Sequence, residues 1–150
     1  MRLSYFLILT TLFLSCSSNR NNTSNNQVLI SYESGSCYGK CEVFILRINY
    51  NKSIEYEGLK NVEKIGKYTT KISVNDFNEI EKLISKVDFN NIDSVYTSKS
   101  TDLHLRILNL NYNNQNKKIL LFDNIPPDLK EVESKIYHII EQYKSNFIKQ

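Results

Sequence analysis

The 150-residue sequence contains no tryptophan and only four glycines, two prolines and two histidines. It has no glycine-rich loop of the kind that cradles phosphate groups. Neither His104 nor His138 belongs to a recognisable nucleophile motif with a serine or cysteine, so a catalytic triad is not supported. The sequence therefore does not indicate a particular reaction, and we predict no catalytic residue, no cofactor and no metal site.

Charge of one sign is also scarce, with a formal net charge of only +3. Acidic and basic residues are interspersed along the chain, as in the stretch from Glu55 to Lys64, and no basic stripe is present. Nucleic-acid binding domains usually carry such a stripe, so we expect no nucleic-acid partner.

The only long apolar run lies at the start of the sequence. Arg2 is followed by Leu3–Leu14, about a dozen largely apolar residues, whereas a membrane span needs roughly 20. Ser15 and Cys16 then follow, in the layout of a bacterial secretion signal that resembles a lipoprotein signal. We expect residues 1–15 to be removed and Cys16 to be diacylated on its sulfur, for example with palmitate. The alternatives are a membrane span and an ordinary cleaved signal.

Residues 16–27 are polar and cannot form a packed core, so they are expected to be a tether between the lipidated Cys16 and a single domain over 28–147. This organisation predicts a protein of the bacterial cell envelope that contacts the membrane through its lipid anchor. We expect it at the outer membrane, facing the periplasm.

Alternating apolar residues predict about six strands, and apolar residues at helical spacing predict two helices. The first helix follows the cap residue Ser73 and the second opens at Pro126-Pro127, supported by a Glu131 to Lys135 pair one turn apart. Asn51-Lys52 is expected to form a two-residue hairpin turn. The predicted fold is α+β, a mostly antiparallel sheet with both helices on one face, in the order ββββ-α-ββ-α. The predicted strands are 28–32, 43–50, 53–58, 66–72, 103–112 and 117–122.

With Cys16 assigned to lipid, Cys37 and Cys41 remain as an even pair in an exported domain. Four residues of extended strand would hold them about 13 Å apart, so a disulfide requires the loop to turn, which Gly35 and Gly39 allow. We predict a structural disulfide between Cys37 and Cys41 that holds this loop. The alternatives are a redox-active pair and a zinc site that recruits His104 and His138.

Ten tyrosines are the remaining compositional feature, and several lie in or beside predicted strands. Tyrosine is a good strand former, but at a sheet edge it also suits a binding surface. Tyr38, next to the cysteines, is the first candidate interaction residue. Asp102 is a second candidate, either as a ligand or acid or as a loop-capping residue.

The cysteine loop also carries a resemblance to a known family. The segment Cys37–Phe44 is similar to the opening motif of the bacterial family called domain of unknown function 6438, and three further motifs follow in matching order: Glu55–Gly58, Gly66–Tyr68 and Thr101–Leu103. The chain departs from the family pattern at Glu42, at Asn51-Lys52 and at His104. The resemblance implies the fold and the envelope location, and it implies no catalytic residue.

Three functional hypotheses follow from these observations. The preferred one is a non-enzymatic envelope lipoprotein whose sheet face or cysteine loop binds a protein or glycan. The second is a thiol-redox factor or other enzyme built on Cys37 and Cys41. The third is a structural spacer without a specific ligand.

Overall fold

A computed structural model of the chain describes residues 27–97, 99 and 103–150. The expected signal peptide, the lipidated Cys16, most of the tether and Asp102 lie outside these residues. The described part forms one eight-stranded sheet with two α-helices, which confirms the α+β class. In that part of the chain, no helix combines the length and the apolar character needed to cross a membrane.

The elements follow the predicted order, with two additional short strands. They are β1 (Val28–Ser34), β2 (Val43–Asn49), β3 (Ser53–Lys60), β4 (Gly66–Lys71), α1 (Val74–Ser85), β5 (Val95–Tyr96), β6 (Arg106–Tyr112), β7 (Gln115–Leu121), α2 (Pro127–Tyr143), a 3-10 turn (Lys144–Asn146) and β8 (Ile148–Lys149).

The strand order across the sheet is β5-β7-β6-β1-β2-β3-β4-β8. The predicted number of strands, about six, was therefore too low. The two additional strands are two residues long, too short to show an alternating pattern, and each lies at one edge of the sheet. β5 is parallel to β7, whereas every other pairing is antiparallel.

Both helices lie against the same face of the sheet. Residues 44, 46 and 48 of β2 point to one side by the two-residue period of a strand, and Tyr50 follows in the turn. Tyr137 of α2 contacts the Phe44 ring edge-on, and Phe77 of α1 contacts the Tyr50 ring in the same way. The core between the two layers contains side chains that are almost fully excluded from solvent, among them Ile30, Tyr32, Leu46, Ile48, Ile54, Ile80, Ile84, Leu108, Leu110, Ile119, Leu129, Val132 and Ile136.

The starts of both helices agree with the sequence prediction. Ser73 caps α1, and its hydroxyl accepts a hydrogen bond from the Asp76 N–H at 3.1 Å. Pro127 is the first residue of α2. The predicted Glu131–Lys135 pair is wrong, because the side chain of Lys135 turns toward α1 and Glu131 lies 3.6 Å from Lys86 instead.

The two long hairpins use different turns. Residues 50–52 form a three-residue turn between β2 and β3, with Lys52 at φ +63° and its N–H donating to the Asn49 carbonyl. The predicted two-residue turn at Asn51-Lys52 is therefore corrected, since Lys52, not Asn51, takes the left-handed conformation. The β6–β7 turn consists of Asn113 and Asn114, both with positive φ, which is typical of a type I′ turn. The predicted loop over 113–116 is two residues shorter than expected, because β7 begins at residue 115.

Candidate functional site

The candidate site is the loop of residues 35–42, which joins β1 to β2. The loop turns so that the Cα atoms of Cys37 and Cys41 lie 5.7 Å apart. A disulfide spans Cα separations of up to roughly 6.8 Å. The structure thus brings the two cysteines to disulfide distance, as the sequence predicted, and closes a five-residue ring. The Gly39 N–H points into this ring and lies 3.3 Å from the Cys37 Sγ.

The loop turns without a glycine in the left-handed region. Among the four glycines only Gly66 has a positive φ. Gly35 is needed for a close approach instead, because its N–H donates to the Leu105 carbonyl at 2.9 Å and a Cβ on it would lie 2.8 Å from the same oxygen. A Cβ on Gly39 would meet only the Cys37 sulfur, at 3.9 Å. Of the two glycines, only Gly35 is therefore required by the packing of the loop.

Ser34 and His104 fix the base of the loop. The buried Ser34 hydroxyl donates to the Glu42 carbonyl at 2.5 Å and lies 3.1 Å from the His104 Nε2. A serine has one hydroxyl proton, so His104 must be the donor in the second contact. In this arrangement the pair links the end of β1 to the segment that precedes β6 and so stabilises the base of the loop. The sequence did not reveal the pair, because its members lie on either side of the β1–β6 pairing.

Tyr38 lies at the tip of the loop and is 95 % exposed to solvent. Among the large apolar and aromatic side chains of the described residues, the next most exposed is Ile148 at 70 %. Gly39 and Lys40 beside it are also exposed, whereas Cys37 and Cys41 are half-buried. The predicted interaction residue is thus the most accessible aromatic group of the described chain, held on a closed ring.

A small cleft of about 140 Å³ begins next to the loop, at Glu42. Its floor includes Phe44 and Tyr56, whose rings stack at 5.7 Å, and Phe147, which stacks on Tyr56 at 5.1 Å. Burial, followed by the nearby Glu42 carboxylate, raises the pKa of Tyr56 to about 12. The tyrosine therefore stays neutral at physiological pH, and the cleft has an aromatic floor.

A buried polar cluster lies deeper, where α2 meets the centre of the sheet. The Tyr32 hydroxyl donates to Glu133 Oε1 at 2.6 Å, and the same carboxylate is 3.2 Å from Arg106 Nη1. Burial, together with the hydrogen bond to Glu133, raises the pKa of Tyr32. Arg106 Nη2 also donates to the Phe122 carbonyl at 2.9 Å. This cluster joins α2 to β1 and β6, and the surrounding core closes most of it to solvent.

The two histidines lie in different environments. His104 contacts Ser34, whereas His138 is exposed and lines a cleft between the helices with Asp76, Glu79 and Lys135. Within residues 27–97, 99 and 103–150 no group of three or more histidine, cysteine or acidic side chains is arranged to hold a metal ion. The structure therefore gives no support to the zinc alternative.

Comparison with known proteins places the chain in a family. No curated protein and no solved structure matches it. The sequence model of the family described as "Domain of unknown function (DUF6438)" matches residues 28–140, which extend from the start of β1 into the last turn of α2. This match covers most of the chain, and the chain belongs to the DUF6438 family.

Proposed function

We propose that the chain is a non-enzymatic binding module of the bacterial cell envelope, anchored to the membrane through a lipid on Cys16, and that the disulfide-closed loop presents Tyr38 to a protein partner. The carrying observation is the 95 % exposure of Tyr38 on a ring whose base is fixed by partly buried hydrogen bonds. Tyrosine is enriched among the residues that dominate protein–protein binding energies.

The rigidity of the loop supports this proposal. Association costs conformational entropy when a recognition segment must be ordered, and a closed ring has already lost most of that freedom. The Asn61 side chain adds a further restraint by donating to the Cys41 carbonyl at 3.0 Å. The loop therefore offers an aromatic group at low entropic cost.

The position of the loop in the domain also fits an anchored protein. β1 runs from Val28 to Ser34. At the rise of an extended strand, these residues span about 20 Å. The described domain begins at one end of this strand and the cysteine loop lies at the other. A chain that is anchored upstream of Gln27 would enter the domain at the end opposite to Tyr38. The loop would then face away from the membrane.

Site-specific photo-crosslinking tests the proposed contact. The photoreactive residue p-benzoylphenylalanine replaces Tyr38 in the full chain in its native cells, and a matched variant carries it at Val74, an exposed apolar position at the opposite end of the sheet. We expect an adduct from position 38 and none from position 74, and we expect Cys37→Ser with Cys41→Ser to weaken the adduct. Equal adducts at both positions, or no adduct at 38, would contradict the proposal.

The proposed anchor and location need separate measurements. Cys16→Ser should move the protein from the membrane fraction to the soluble envelope fraction. Protease added to intact cells should leave the domain uncut if it faces the periplasm, whereas cleavage would place it on the cell surface.

The thiol-redox alternative uses the same two sulfur atoms. Residues 35–42 contain no helix, and a helix N-terminus that stabilises a thiolate is a common feature of reactive cysteines. Thiol titration of the native protein with increasing dithiothreitol distinguishes the two roles. A bridge that resists mild reduction supports the structural role, and a bridge that opens reversibly at cytosol-like potentials supports the redox role.

A further inference from the structure

A further cleft lies at the end of the sheet opposite to the cysteine loop. It has a volume of about 640 Å³. This volume lies within the range that is usual for small-molecule sites, about 300 to 1,000 Å³. The walls of the cleft come from the first described residue, Gln27, from Tyr50 in the β2–β3 turn, and from the end of the β6–β7 hairpin, residues 111–116. The cleft therefore joins three neighbouring segments of chain at one end of the sheet.

The side chains that line this cleft share one chemical character. All of them are amides of asparagine or glutamine or phenol rings of tyrosine, and none carries a charge at neutral pH. Burial raises the pKa of Tyr50, so this ring also stays neutral well into the alkaline range. A charged ligand would lose its hydration here without a counter-charge, which is unfavourable. The lining thus favours a neutral ligand that is rich in hydrogen-bonding groups.

The back wall of the cleft is held in place by hydrogen bonds. The Tyr50 hydroxyl donates to the Asn111 carbonyl at 2.7 Å, and Asn111 Nδ2 donates to the Val28 carbonyl at 3.0 Å. The Asn116 side chain donates in turn to Asn111 Oδ1. These bonds join the β2–β3 turn, β1 and both strands of the β6–β7 hairpin, so the wall is formed before any ligand arrives.

The front of the cleft has free hydrogen-bonding capacity. Within the described part of the chain, the side chains of Tyr112, Asn114 and Gln115 make no hydrogen bond. Each amide offers both donors and an acceptor, which matches hydroxyl groups that also donate and accept. The half-buried Tyr112 ring adds an apolar surface with a polar end.

We propose that this cleft binds a neutral carbohydrate, with the apolar face of a sugar ring against Tyr112 and the sugar hydroxyls on the amide groups. This site is separate from the Tyr38 loop. The proposed ligand of the cleft is a small saccharide unit, whereas the proposed ligand of the loop is a protein. The cleft lies where the chain enters the domain, so the bound saccharide would sit on the side of the expected anchor.

Calorimetric titration of the full chain in detergent tests the proposal with three neutral oligosaccharides: maltotetraose, cellotetraose and tetra-N-acetylchitotetraose. We expect at least one of them to bind with a dissociation constant of about 1 mM or lower. Its affinity should depend only weakly on salt, because none of the side chains that line the cleft is charged. Tetragalacturonate, an acidic sugar of similar size, serves as the charged comparison and should not compete.

Variants at both ends of the sheet identify the site. Tyr112→Ala should weaken binding at least about tenfold, Gln115→Ala should weaken it several-fold, and Ile65→Ala, a truncation of an exposed side chain at the other end of the sheet, should leave it unchanged. Gln115 is exposed, so its variant keeps the fold and tests the site even if Tyr112→Ala unfolds. The proposal fails if none of the neutral sugars binds at about 10 mM, if the Gln115 variant binds unchanged, or if the acidic sugar binds more tightly.

Discussion

Lys135 lies almost buried between the two helices and offers the sharpest test of what holds them together. Its Nζ is 2.9 Å from Asp76 Oδ1 and 2.6 Å from Glu79 Oε2, and the side chain is only 8 % exposed. Asp76 also accepts hydrogen bonds from Tyr143 at 2.7 Å and from Gln142 at 3.1 Å. One lysine of α2 thus neutralises a carboxylate at the start of α1.

We expect Lys135→Met to lower the free energy of unfolding by about 3 kcal/mol, because removing one partner of a buried ion pair leaves a charge without compensation. This value is at the lower end for such changes, since Asp76 keeps its neutral donors. The Glu79 side chain is 61 % exposed, and an exposed carboxylate returns to water at little cost. For a domain of this size the loss corresponds to a fall in Tm of about 10 °C.

The matched control is Lys86→Met. Lys86 lies 3.6 Å from Glu131, and both side chains are more than half exposed. An exposed pair of this kind should contribute less than about 0.5 kcal/mol. Urea unfolding followed by circular dichroism measures both variants. Equal losses for the two lysines would refute the assignment of stability to the buried contact.

The difference between wild type and Lys135→Met should also depend on pH. Burial raises the pKa of Asp76, but hydrogen bonds from Lys135, Ser73 and Tyr143 outweigh it and hold the pKa well below its usual range. Stability from a lowered carboxyl pKa is complete above the unfolded value of about 4 and is lost as the pH falls through the folded value. Burial lowers the pKa of Lys135, but its hydrogen bonds to Glu79 and Asp76 outweigh burial and raise it, so its contribution is lost only as the pH rises above its usual value. We therefore expect the difference in the free energy of unfolding between wild type and Lys135→Met to be constant between about pH 5 and 10 and to become smaller below and above this range. A difference that is unchanged at about pH 2 would contradict this account.

Two further predictions concern the glycines and the loop. A Cβ on Gly58 would overlap the Lys64 carbonyl, whereas one on Gly39 meets no close neighbour. Gly58→Ala should therefore destabilise the domain by at least about 2 kcal/mol and Gly39→Ala should be nearly neutral in the same urea unfolding assay; a Gly58→Ala variant as stable as wild type would show that the chain at Lys64 moves aside freely. Cys37→Ser with Cys41→Ser should cost about 2 kcal/mol, as expected for a short closed loop, and reductant should then lower the Tm of wild type but not of the variant. If strong reductant converts both cysteines to free thiols and the Tm of wild type does not change, the disulfide does not contribute to the stability of the fold.

The sequence predicted the elements that have a clear periodicity. The alternation around Phe44 and Ile48 placed β2, and the cap at Ser73 placed α1, because both signals are local. The approach of Cys37 and Cys41 to disulfide distance was also predictable, since both cysteines lie in one short loop. Local patterns were sufficient wherever the interacting residues are close in the chain.

Interactions between distant segments were not predictable in the same way. Lys135 was paired with Glu131 by helical spacing, but its side chain bonds to Asp76 on another helix, and nothing local marks this choice. Glu133 occupies a buried position in the helix because Tyr32 and Arg106, from two different strands, satisfy its carboxylate. The side-chain supports of the cysteine loop and the helix contacts both depend on strand pairing, which a single sequence does not reveal.

The central place of β1 has a consequence for how the chain is made. One edge of β1 pairs with β2, which follows it closely, but its other edge pairs with β6, so that Ile30 meets Leu110. Until residue 112 is available, a growing or translocating chain exposes an unpaired edge on one of the most apolar strands of the sheet. Such edges recruit other chains, and long-range strand pairing forms slowly. A truncated or stalled chain should therefore aggregate through β1, although this strand is enclosed on both edges in the finished domain.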